Sequence, residues 1–224
     1  MSTVAGDIAV VRPPRPVFGP KERGILVDPL IANNPITVQM LGVCSALAIS
    51  TRVDNALVMS VGVILVAMVA SLAVSLVRDR TPTAIRIIVQ LAIIASLVTV
   101  FDQVLKATFY EISLELSIFV GLIITNCMVL GRAEGFAMQH PPYPAVLDAL
   151  GNALGYALIL IAVSATRELL GAGKLLGYEI LPLVQDGGWF EPNGLMLLPP
   201  SALFVIGLMI WAMRTWWPAL KERD

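Results

Sequence analysis

The chain has 224 residues, 57 % of them hydrophobic and 14 % charged, with a mean hydropathy of +0.83. Charged residues approach a quarter of a soluble domain, so this composition describes a polytopic membrane protein. Fifteen basic and sixteen acidic side chains leave a net charge of −1, without the basic footprint of a nucleic-acid binder. One histidine and two cysteines are too few for a self-contained four-ligand zinc site or a disulfide framework, so any metal site must be shared with another chain.

Residues 1–34 carry Arg12, Arg15, Lys21 and Arg23 among Pro13, Pro14, Pro16 and Pro20. They read as a polar, proline-stiffened tail without an apolar signal core. Six apolar stretches follow, at about 36–50, 56–77, 84–101, 116–130, 145–165 and 195–213. They predict an all-α integral membrane domain over residues 35–214, closed by a C-terminal tail at 215–224. The longest connection, 166–194, is rich in glycine and is expected to be a structured loop or a re-entrant piece. Ten of the fifteen Lys and Arg residues fall on one side, in the tail, the 78–82 turn, the 131–144 loop and the C-terminus. The positive-inside rule then puts both termini in the cytoplasm.

Two stretches are short. The uninterrupted apolar part of the first has 14 residues (Ile36 to Ile49) and that of the fourth has 15 (Leu116 to Leu130). At a rise of about 1.5 Å per residue they reach about 21–23 Å, against a hydrocarbon core of about 30 Å. They are expected to be half-helices or broken helices. Each holds one of the two cysteines, Cys44 and Cys127, and each cysteine is followed by a basic-x-acidic group, Arg52-Val53-Asp54 and Arg132-Ala133-Glu134. This weak repeat divides the membrane domain into halves at about 35–106 and 113–214. Three spans per half give opposite topologies, an inverted repeat whose interrupted segments meet near the midplane. A free cysteine can simply pack as a small hydrophobe. Two thiolates can also supply half of a four-thiolate [2Fe-2S] site, because soft sulfur ligands select iron-sulfur, zinc or copper(I).

Other polar residues admit local readings. Asp148, Asn152 and Tyr156 recur every four residues with Gly151 and Gly155 between them, giving either an ion-access path or a helix-packing seam. Arg86 shares a face with Gln90 and is expected to snorkel or to pair with Asp79. Asp102 and Lys106 form an i, i+4 pair. Thr125 and Asn126 could bond a cluster sulfur or cap a broken helix. Arg132 and Glu134 are expected to pair at the surface, and His140 to be a solvated loop residue. Trp211, Trp216 and Trp217 mark one membrane interface and Trp189 the other. There is no GxGxxG, Walker, HExxH or GxSxG pattern, so nucleotide binding, zinc proteolysis and acyl transfer lack support.

The stretches VQMLGVCSALAI, RIIVQLAIIASLV, VFDQVLKA, FVGLIITNCMVLGRAEGFAM, RELLGAGKLLG and GGWFEPNGLMLLPPSA carry a resemblance. Over about Asn34 to Arg214 the chain resembles the D-subunit family of bacterial Na+-translocating NADH:quinone oxidoreductases, whose relatives include the E-type membrane component of the Rnf complex. The GGWFEPNGLMLLPPSA stretch is similar to the sodium-pump branch. The resemblance implies a translocase subunit, inactive alone, in the bacterial inner membrane, paired in inverted orientation with its homologue, the E subunit. Cys44 and Cys127 match the family's cluster cysteines, and the partner would add two more around a shared [2Fe-2S] cluster. Electrons would then pass from the NADH-oxidising flavoprotein towards the flavin on the C subunit, within a complex that also holds the A, B and F subunits. Ser164-Ala165-Thr166 lacks the glycine of the family's covalent flavin motif, so no flavin is expected to be bonded to this chain. An Rnf-type subunit, a secondary transporter and a structural subunit without a cluster are the alternatives.

Overall fold

Long runs of Val, Ala, Leu and Ile without interior proline produce three helices long and apolar enough to cross a membrane: Val53–Arg80, Arg86–Val104 and Pro142–Ala172. The architecture comes from a computed structural model that describes residues 20–30, 33–82, 85–108, 121–175, 178–179 and 194–216. In chain order these hold α1 (Pro20–Val27) with a 3-10 turn (Asp28–Leu30), α2 (Val43–Ile49), α3 (Val53–Val77), a second 3-10 turn (Arg78–Arg80) and α4 (Arg86–Thr108). Then come α5 (Cys127–Arg132), running into a π turn at Ala133–Ala137, and α6 (Pro142–Ala172). The antiparallel pair β1 (Lys174–Leu175) and β2 (Tyr178–Glu179), α7 (Gly194–Leu197) and α8 (Pro199–Trp216) complete the order.

The apolar stretches at 56–77, 84–101 and 145–165 are the bodies of α3, α4 and α6, and 195–213 covers α7 and most of α8. The two short stretches give only α2, of seven residues, and α5, of six. Residues 121–124 are helical, Thr125 and Asn126 interrupt, and α5 starts at Cys127; residues 116–120 lie outside the described set. One boundary differs from expectation. Helix α6 continues past residue 165 to Ala172, so Arg167 and Glu168 are buried helical residues rather than part of a loop. Gly173, in the left-handed region at φ 68°, ends it, with its N–H on the Leu169 carbonyl at 3.1 Å. The re-entrant piece expected over 166–194, with Trp189, falls largely outside the described residues, as does Trp217.

The bundle is organised around α6, whose most extensive partner is α3. Their buried faces are rich in small residues: Ala56, Ala67 and Ala70 on α3, and Ala149 and Ala153 on α6, in one core with Val63, Leu160 and Val163. Small side chains allow the close backbone approach by which helices associate in lipid, where no hydrophobic driving force separates one apolar surface from another. By contrast Ile87, Ile88, Val100 and Val104 on α4, and Leu203, Phe204, Leu208 and Trp211 on α8, are more than half exposed. These apolar outer faces suit lipid or neighbouring membrane helices. Trp211 and Trp216 are exposed near the end of α8, as interfacial anchors should be.

The stretch expected to be a free tail is partly docked. Helix α1 and the following turn lie against α6 at the two glycines that the sequence marks as a small-residue seam. A Cβ on Gly151 would meet the Leu26 carbonyl oxygen at 2.9 Å, and one on Gly155 would lie closer still to that of Pro29. The seam therefore seats the N-terminal segment of the same chain. Gly155→Ala should lower thermal stability in detergent by about 1–3 kcal/mol, the cost of overpacking. Gly207→Ala, where nothing lies within 4 Å, should be neutral or slightly stabilising; equal melting of the two variants would dismiss the docked segment.

Candidate functional site

The chain cannot continue as a helix through residues 34–42. Asn34, fully buried, turns its Oδ1 to the N–H groups of Ile36 (3.0 Å) and Thr37 (3.4 Å), which fixes a turn in place of the next helical hydrogen bonds. Its Nδ2 donates to the Gly155 carbonyl on α6 at 3.0 Å. Met40 (φ 57°) and Gly42 (φ 82°) then reverse the backbone through the left-handed region, and α2 begins at Val43. At Gly42 a side chain is excluded on two counts. The positive φ is one, and a Cβ would lie 2.7 Å from the Tyr156 ring. In the second short segment Asn126 caps α5, its Oδ1 accepting the Met128 N–H at 3.0 Å. Capping is thus the observed role of Asn126, and the Thr125 hydroxyl bonds the Gly121 carbonyl at 3.4 Å.

These two breaks bring the only cysteines together. Cys44, in the first turn of α2, and Cys127, the first residue of α5, have their Sγ atoms 3.7 Å apart, although 83 residues separate them in sequence. The Gly42 N–H donates to Cys127 Sγ at 3.0 Å. Two sulfurs bound at about 2.3 Å to one tetrahedral metal lie about 3.8 Å apart, so the pair has the span of one edge of such a centre. Cys44 is exposed and Cys127 half-buried, so the thiols open outward from the chain. Among the described residues no group of three or more His, Cys, Asp or Glu side chains is arranged to hold a metal.

Behind the thiols the polar groups are interlocked. Ser45 Oγ donates to the Gly42 carbonyl (2.9 Å), contacts the Tyr156 hydroxyl (2.8 Å), and receives the Asn126 Nδ2 (3.4 Å). Tyr156 is fully buried on α6. The far ends of both short helices are tied to the same helix. Arg167, fully buried, donates to Leu47 O (3.4 Å) and Ser50 Oγ (2.6 Å) at the end of α2, and to Met196 O, Leu198 O and Ser201 Oγ where α7 meets α8. Its neighbour Glu168 accepts the Val53 N–H at 2.6 Å, meeting the unpaired donors and the positive end of α3 with a negative charge. At the end of α5, Arg132 makes a bidentate pair with Asp148 at 2.8 and 2.5 Å; Asn152 Nδ2 supports the same carboxylate at 3.1 Å.

Several sequence expectations are revised by these contacts. Arg132 does not pair with Glu134 but with Asp148, and its guanidinium also lies 5.5 Å from the Phe136 ring centre. Glu134 instead pairs with Arg86 and accepts Gln90 Nε2 at 2.6 Å. Arg86 and Gln90 do share a face, but Arg86 does not reach Asp79, which sits 3.4 Å from Arg78. Two residues apart on a helix, Arg132 and Glu134 point to opposite sides and so meet different neighbours. With both carboxylate oxygens of Asp148 held by Arg132, that face of α6 is a packing seam. Asp102 and Lys106 form the expected pair at 2.5 Å. His140 lies in the expected loop, with its ring stacked on Phe136 at 3.9 Å. Sequence reasoning missed Ser45, Arg167 and Glu168; two adjacent opposite charges beside an apolar run were the available signal.

Asp148→Asn should cost about 3 kcal/mol, because it leaves a largely buried guanidinium without its counter-charge. The double variant Arg132→Met/Asp148→Leu should recover most of that loss in a thermal unfolding cycle. A single variant as stable as the parent would show that the pair does not hold α5.

The family described as "Rnf-Nqr subunit, membrane protein" matches residues 23–210. The chain is 60 % identical over 198 residues to the D subunit of the Na(+)-translocating NADH-quinone reductase of Photobacterium profundum, covering 88 % of this chain and 94 % of that one. It is 56 % identical to the D subunits of the same reductase from Neisseria gonorrhoeae and Neisseria meningitidis serogroup A, covering 88 % of this chain and 95 % of each. With helices that can cross a bilayer, a match over most of its length and these identities, the chain belongs to the Rnf-Nqr family of membrane subunits.

Proposed function

We propose that this chain is the electron-relay membrane subunit of a Na+-translocating NADH:quinone reductase, with Cys44 and Cys127 providing half of a [2Fe-2S] cluster. The observation that carries the proposal is the 3.7 Å thiol pair with the Gly42 N–H on one sulfur at 3.0 Å. The names of the relatives supply the reductase and the sodium coupling. Two thiols opening outward leave half of the coordination to a second chain. A homologue of inverted orientation, the E subunit, would present the same pair from the other side. The order short, long, long recurs as α2, α3, α4 and as α5, α6, α8, which supports six segments in two inverted halves. It also supports a site at the meeting point of the two short segments.

A four-thiolate cluster, when bound, takes up and passes on single electrons. The chain's own residues prepare its place. Cys44 and Cys127 would supply two soft thiolate ligands from the first turns of α2 and α5. The Gly42 N–H offers a hydrogen bond to sulfur, which offsets negative charge in a low-dielectric site and favours the reduced form. The α3–α6 core behind the pair excludes water. Electrons would come from the NADH-oxidising flavoprotein and leave towards the flavin on the C subunit, in the inner membrane with both termini cytoplasmic. The secondary-transporter reading has less support, since Asp148 is engaged by Arg132.

Cys44→Ser and Cys127→Ser, each purified in the intact complex, should both lose two irons and one two-iron paramagnetic signal after dithionite reduction, with NADH-driven quinone reduction falling at least about 100-fold. If either variant kept the iron and the signal, the cysteines would be packing residues and the proposal would be abandoned.

A further inference from the structure

Beyond the two cysteines, one buried group touches both short segments. The Tyr156 hydroxyl lies 2.8 Å from Ser45 Oγ, and the tyrosine ring fills the space that a side chain on Gly42 would need. Since the Ser45 hydroxyl hydrogen is directed to the Gly42 carbonyl at 2.9 Å, the Tyr156 O–H is the donor and Ser45 Oγ the acceptor. Ser45 also receives the Asn126 amide at 3.4 Å, and Asn126 is the residue that caps the helix opened by Cys127. The chain of bonds thus runs from Tyr156 through Ser45 to Gly42, and Gly42 offers its N–H to Cys127 Sγ.

We infer that Tyr156 is a positioning residue for the thiol pair: its hydroxyl, through Ser45, and its ring, against Gly42, fix the turn that brings Cys44 beside Cys127 and aims the Gly42 N–H at sulfur. The physical reason is torsional. With no Cβ, Gly42 is free to leave φ 82° for other wells. Outside constraints must therefore hold it, and the ring on one side and the Ser45 bond on its carbonyl add to the Ala46 N–H on that carbonyl at 3.1 Å. Ser45 is buried and Tyr156 fully buried, so water does not compete for these bonds and each retains its strength. The role in cluster binding rests on the proposed function; the role in holding the two sulfurs together does not.

The test is made on the intact complex with Tyr156→Phe, which keeps the ring, with Ser45→Ala, and with the double variant. In chelator-stripped samples, the rate of bridging of Cys44 and Cys127 by a dithiol-specific trivalent arsenical reports the thiol geometry. Each single variant should slow bridging about two- to tenfold, the fold-change of one neutral hydrogen bond. The double variant should be no worse than Ser45→Ala alone, because the Tyr156–Ser45 link is already absent there. In the iron-loaded complex the same variants should retain iron while the two-iron signal changes shape and its midpoint potential falls below that of the parent, as a weaker N–H bond to sulfur requires. Parental bridging rates and an unshifted signal in Tyr156→Phe would overturn the inference, even if Cys44→Ser had abolished the iron. Altered bridging together with iron retained in Cys44→Ser would instead overturn the cluster assignment and leave the positioning role standing.

Discussion

A helix that stops inside a bilayer leaves backbone donors and acceptors where no water can reach them, and protein groups must meet them. The same need is met here at α2 and α5, of seven and six residues, which reach only about 9–11 Å each and end among buried residues. Asn34, Ser45 and Asn126 serve the two beginnings, and Arg167 serves one end by taking the Leu47 carbonyl and the Ser50 hydroxyl. Most of these groups are tied in turn to α6. The long helix thus contributes three things: packing surface against α3, a seat for α1, and the polar partners that make two interrupted helices tolerable in an apolar medium.

The division of labour along α6 is ordered by depth. Asp148 holds the end of α5, Gly151 and Gly155 hold the N-terminal segment, and Tyr156 holds both helix beginnings. Arg167 and Glu168 hold the end of α2 and the start of α3. Removal of any one of these polar side chains leaves a buried group without its partner, which costs more than the bond itself contributes.

How much of this was legible follows from the range of each interaction. The all-helical membrane character and the shortness of the two cysteine segments were readable, because run length against bilayer thickness is a local property. The Asp102–Lys106 pair was readable for the same reason, being one helical turn apart. The pairs Arg132–Asp148 and Arg86–Glu134 were not, since each joins separate elements and depends on how those elements pack. Arg167 reads as a loop charge because a basic residue after an apolar run resembles a membrane boundary; its partners on α2 lie 117 to 120 residues away, and those where α7 meets α8 lie 29 to 34. Tyr156 stands out by its four-residue spacing, but only the fold places Gly42 against its ring.

The charges on α6 also act as a ruler. Asp148 and Arg167 are 19 residues apart, about 28 Å along a helix, close to the thickness of a hydrocarbon core of about 30 Å. With those two at the interfaces, Tyr156 sits about 12 Å from one and about 16 Å from the other. In that placement the sulfurs beside it would lie about half a hydrocarbon thickness from either aqueous phase. A water-soluble redox molecule colliding with either surface would then be held that distance away, and groups embedded at the same depth would come nearest.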